Sequence, residues 1–173
     1  MATTALGLAP TTVTTDAQAP LGFQIMVPQA QDDAVKTQDQ GDQLWTYVFN
    51  DEGSAAFAEG DIVLRDASAT TQTMYGGIQS PTGTAAHAFS AIGVAQHAIA
   101  AGSYGFILTK GRGVCRTGSA TVAQDNVLTS GGSTVGSAKA FANGTIGVIE
   151  MGWALEAGSA TSTFDAYINC LGA

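Results

Sequence analysis

Residues 92–108 read Ile-Gly-Val-Ala-Gln-His-Ala-Ile-Ala-Ala-Gly-Ser-Tyr-Gly-Phe-Ile-Leu. The stretch starts apolar around one glycine, loosens into alanines, turns at Gly102 and Ser103, and resumes as a second apolar run. Two short apolar runs across a Gly-Ser turn read as two strands, 92–96 and 104–109. Outward from there the same grammar recurs. In 44–49, Trp45, Tyr47 and Phe49 share one face and Leu44, Thr46 and Val48 the other. Residues 61–65 alternate Ile62 and Leu64 against Val63, and further strands are expected at 114–116, around Val127, at 146–155 and at 164–168. Gly, Ser, Asn and Asp fill the gaps, as turns require. Only 84–91 and 96–101 are Ala-rich enough to suggest a helical turn. Many short, closely spaced strands predict a mainly β fold, either a small β-barrel or a β-tulip or sandwich.

Composition agrees. The chain has 173 residues and a mass of 17.4 kDa, about one domain. Charged residues make up 12% of it, about half the usual share, which argues against long exposed helices with charged faces. The net charge is −8 with only six Lys and Arg, so a nucleic-acid partner is not expected. No apolar run reaches the roughly 20 residues of a membrane helix, and residues 1–10 lack the pattern of a secretion signal, so a soluble, non-membrane protein is expected. Cys115 and Cys170 are expected to be buried thiols rather than a bridge, and no Cys/His spacing suggests a metal.

Residues 1–60 carry eight acidic side chains against Lys36 alone, so the acidity belongs to the N-terminal third. Within it, 1–43 is expected to be an extended N-terminal arm preceding a barrel-like domain, 44–173. The arm has too few apolar residues for its own core, yet Leu21, Phe23, Ile25 and Val27 alternate as one face of a strand. Such a strand must pair with something: its own barrel edge, a neighbouring subunit or a larger partner. The polar 29–43 would let it reach the latter two, which are the favoured expectation.

A faint internal repeat is visible. Gly60-Asp61-Ile62-Val63-Leu64 leads to Ile92-Gly93-Val94-Ala95, and Gln124-Asp125-Asn126-Val127-Leu128 leads to Met151-Gly152-Trp153-Ala154, each followed by an aromatic-bearing strand. Sequences that hint at catalysis fail on inspection. Gly131–Lys139 has Ser137 where a phosphate loop needs Lys, Gly111-Arg112-Gly113 lacks the third glycine of a dinucleotide fingerprint, and His87 and His97 have no pattern linking them to Cys115. No catalytic, cofactor or metal residue is assigned, and Asn143-Gly144-Thr145 reads as a turn. One charged group stands out: Lys110, Arg112 and Arg116 share parity and would project from one face of an extended strand. They are either a solvated face paired with carboxylates or a contact with an acidic partner. Trp45, Tyr47, Trp153 and Phe164 are expected in the core.

The segments Gly60-Asp61-x-Val63, Ile92-Gly93-Val94-Ala95, Ala100-Ala101-Gly102 and the later Gly152-x-Ala154 together resemble capsid decoration, or cement, proteins of tailed bacteriophages. The resemblance covers residues 60–167. It implies a β-barrel or β-tulip homotrimer, made in the host cytoplasm, that sits on the outer surface of the virion. There it would bind the major capsid protein between capsomers, as a structural protein and not an enzyme. Leu21, Phe23, Ile25, Val27, Lys110, Arg112 and Arg116 would then be candidate capsid or subunit contacts. A head-fibre base or tail component, or a carbohydrate-binding β module, are the alternatives.

Overall fold

A computed structural model describes residues 7–28, 41–66, 75–82, 91–141 and 150–170. Among these described residues ten strands follow in order: β1 Gln24–Val27, β2 Gln43–Asn50, β3 Ile62–Arg65, β4 Gly76–Gln79, β5 Ala91–Val94, β6 Tyr104–Arg116, β7 Val127–Thr129, β8 Lys139–Ala140, β9 Gly152–Ala154 and β10 Thr163–Asn169. They form one sheet in the order β1-β2-β4-β3-β5-β6-β10-β9-β7-β8, and a further pairing of β2 with β6 closes β2, β4, β3, β5 and β6 into a five-stranded barrel. The β2–β4 pair is parallel and the rest of the ring antiparallel. The fold is therefore a small barrel with extra strands outside it.

Two expectations change. Residues 96–101 hold no helix: Ile99 exchanges both backbone hydrogen bonds with Phe57, committing groups that a helix would need along the chain. The two strands expected at 104–109 and 114–116 are one, β6. Leu44 pairs with Lys110 and Trp45 with Leu108, so Thr109 is an extra residue, a bulge, and Gly111 follows at φ +114°. Bulge and glycine bend the strand without ending it. Residues 84–90, 142–149 and 29–40 lie outside the described residues, so the helical turn at 84–91 (but for Ala91, the first residue of β5), the Asn143–Thr145 turn and most of the polar linker do too.

The faint repeat is a structural duplication. The ring order β4-β3-β5-β6 recurs as β8-β7-β9-β10, and β6 belongs to both units: its first half pairs with β2, its second half with β10. Where β2 and β4 close the first unit through Asn50 and Gly77, an isolated parallel bridge joins Thr117 and Ala138 in the second. The corners match bond for bond. Asp61 Oδ2 accepts from Ala58 N at 2.8 Å, and Asn126 Oδ1 accepts from Ala123 N at 3.0 Å. Gly60 N donates to Ala95 O, and Asp125 N to Ala154 O. Gly60 has φ +82° and Asp125 φ +65°, so Asp125 is the counterpart of Gly60, one position off the alignment with Asp61 that the sequence suggests.

Each unit fills its interior with side chains. In the first, Val48, Phe57, Val63, Ile92, Ala95, Ile99 and Ile107 form one buried cluster. The equivalent positions of the second include Cys115, Val122, Leu128, Met151, Ala154 and Ala166, all buried. On the other face of the first unit lie Trp45, Tyr47, Ile62, Leu64, Val94, Phe106 and Leu108. That face is the outer one, because the N-terminal segment lies on it and a five-stranded ring has no room for a segment inside. β1 pairs antiparallel with β2, Ile25 facing Trp45; Leu8 and Ala19 are buried; Leu21, Phe23, Ile25 and Val27 pack against the core. Residues 7–28 are thus a cover on their own barrel, which corrects the arm reaching to a neighbour. The reason is apolar area: the barrel's outer face is as apolar as its interior and needs covering.

Candidate functional site

Lys110, Arg112 and Arg116 do share a face of β6, as their parity requires, but they do not form a free basic stripe. Arg112 is ion-paired with Asp165 on β10. Arg116 reaches back into the first unit, its Nη2 2.5 Å from Oδ1 of fully buried Asp61 and 2.7 Å from Val135 O, to which it donates. The Asp61 contact is close but not aligned as a hydrogen bond, and Asp61 Oδ1 and Arg116 Nε have no hydrogen-bond partner among the described residues. Asp61 Oδ2 also accepts from Gln79 Nε2 at 2.6 Å. This is a tie between the units. Only Lys110 is exposed and without an ion pair among the described residues. Of the two readings of the stripe, pairing with nearby carboxylates describes the two arginines.

The buried titratable groups act as packing. Cys115 and Cys170 are both buried free thiols; burial pushes Cys170 up to about 12 and Cys115 higher still, the neighbouring Cys170 adding to the latter. Burial lowers His97 from the usual imidazole range, and neither ring nitrogen has a hydrogen-bond partner among the described residues.

The sequence places Trp153 in the core, and the structure does not. Trp45, Tyr47 and Phe164 are buried as expected, but Trp153 is 42% exposed. It stands on β9 stacked against Tyr167 of β10, ring centroids 4.4 Å apart and planes at 16°. Pairing across the second unit sets a row on its outer face: Arg112 opposite Tyr167, Tyr167 opposite Trp153, Trp153 opposite Val127. The signal that could have found this face is the duplication itself. Trp153 holds the position of Val94, and Arg112 and Asp165 hold those of Trp45 and Phe106, so the second unit's outer face has been made polar around one large indole.

The main-chain edge beside this face is closed. Gln43 Nε2 donates to Arg112 O at 2.7 Å, and the Gln96 amide binds Val114 on both sides, accepting from its N at 2.7 Å and donating to its O at 3.0 Å. Two side-chain amides thereby do what a neighbouring strand would do. Taken together, the fold and this face define a small β-barrel whose strand order is repeated by the strands outside it, with a mixed aromatic and charge-paired surface. Comparison with known protein families, with curated proteins and with solved structures found no match.

Proposed function

We propose that the protein is a non-enzymatic structural component of a tailed-bacteriophage head, a decoration protein that binds the assembled capsid shell between capsomers and acts as a trimer. One observation carries the reading. Of the segments that resemble decoration proteins, Gly60–Val63 and Ile92–Ala95 form the corner and the paired strands β3 and β5 of the first unit, Ala100–Gly102 lead into β6, and Gly152-x-Ala154 is β9 of the second, so the resemblance falls on the framework of the fold rather than on scattered residues. The physical character fits: both units are filled by side chains and their shared strand is sealed along its edge, which suits a rigid clamp that loses little entropy on binding.

Purified protein mixed with expanded and unexpanded shells tests the proposal. Binding to the expanded form, with a trimer seen by sedimentation in solution or on the shell, is the expected result. Equal binding to both forms removes the maturation link, and no binding to either overturns the role.

A further inference from the structure

The outer faces of the two units are laid out at equivalent positions and finished differently. In the first, Trp45, Leu108, Val94 and Ile62 run across the strands, all buried, with the N-terminal segment packed on this face. In the second, the same row reads Arg112, Tyr167, Trp153 and Val127, with Asp165 and Val114 where the first unit has Phe106 and Tyr47. A face that meets water should be more polar, and the changes to Arg112 and Asp165 follow that rule. Trp153 breaks it. Where the first unit, packed under the N-terminal segment, needs only a valine, the second carries an indole, 42% exposed and held in one orientation by its stack on Tyr167.

We propose that the outer face of β9 and β10, centred on Trp153, binds a neutral saccharide. The exposed part of the indole, set between Tyr167 and Val127 on the neighbouring strands, offers an aromatic surface whose negative potential suits the weakly positive C–H groups of a pyranose ring. Arg112, one strand beyond Tyr167, and Asp165, two residues before Tyr167 on β10, hold each other and so present guanidinium donors and carboxylate acceptors in fixed positions, the groups that paired sugar hydroxyls need. Lys110 and Asn169, directly paired across β6 and β10, extend the polar border. The arginine's charge is matched by Asp165, so the face holds no cluster of free cations to draw a polyanion. An extended peptide is disfavoured too: Gln43 and Gln96 already occupy the main-chain groups that strand addition would use. Ring stacking with side-chain hydrogen bonds is what remains. The inference is independent of the capsid reading.

The full chain is titrated with cellohexaose, maltohexaose and N-acetylchitohexaose while tryptophan emission is followed. There are two tryptophans and Trp45 is buried, so a change reports Trp153. The expected result is a saturable change for at least one sugar with a dissociation constant of about 0.1–5 mM, weakened at least tenfold in Trp153→Val, the residue of the first unit, at unchanged melting temperature. Amide and indole NMR shifts in the unaltered protein supply the same answer without a variant: perturbations at Trp153, Tyr167 and Arg112 support the site. Silence towards all three sugars at about 10 mM, shifts confined elsewhere, or preference for dextran sulfate over dextran overturns it.

Discussion

Asp61 and Asn126 occupy the same corner of the two units and make the same bond to the backbone of an alanine three residues earlier. They differ in charge, and only Asp61 faces an arginine. Asn can keep the corner bond, so Asp61→Asn removes the ion pair and little else, leaving Arg116 beside a neutral amide. Loss of one partner of a buried pair costs about 3–5 kcal/mol; with Arg116 partly exposed, about 2–3 kcal/mol is expected in urea unfolding. Asn126→Ala should cost about 1 kcal/mol. A larger loss at Asn126 than at Asp61 would show that the tie between units contributes nothing. Gly152 offers a second test at this scale: its φ is +136° and an added Cβ would run into the backbone of Tyr167, so Gly152→Ala should lower stability by about 2–4 kcal/mol. The thiols set an alkaline limit. Their pKa values are raised above the ordinary 9.0, so the folded state keeps protons that the unfolded chain releases. Stability from this source is complete below pH 9 and lost as pH rises towards about 12, and a Cys115→Ala/Cys170→Ala variant should show a shallower fall over that window.

At the scale of elements, β1 and the segment before it decide how the barrel meets water. Tyr47 receives the Gln18 N–H on its hydroxyl at 3.1 Å, Thr14 bridges Tyr104, and Ile25 pairs with Trp45. Removing residues 1–28 would expose the apolar face on which 7–28 pack. The truncated protein should therefore bind a hydrophobic dye, show red-shifted Trp45 emission and melt well below the full chain. Unchanged melting would mean that the cover is passive. Most of these elements can be read from alternation: β2, β3, β5 and β10 follow apolar periodicity. β4, Gly76–Gln79, and β8, Lys139–Ala140, carry no such signal, since two glycines or a two-residue strand have no period to read. They are strands because β3 and β7 present backbone groups to them.

Across the whole molecule, the two units share β6 and a buried cluster that runs from Trp45 through Cys115 to Phe164. Neither unit owns all of its strands, so neither can unfold alone without stripping the other. Calorimetry should give a single transition whose calorimetric and van't Hoff enthalpies agree. Two resolved transitions would show that the units are separable domains. The sequence by itself determined the β class, the glycine corners, most strands, the burial of Trp45, Tyr47, Phe164 and both cysteines, and the shared face of Lys110, Arg112 and Arg116, because local alternation and turn chemistry act within a few residues. Only the tertiary structure decided that the strands close into a ring, that Leu21 to Val27 cover their own barrel, that Asp165 and Asp61 neutralise the two arginines, and that Trp153 stands in solvent. Each of those depends on which distant strand lies alongside and in what register, and a side chain's own neighbours in sequence carry no record of the partner that folding brings to it.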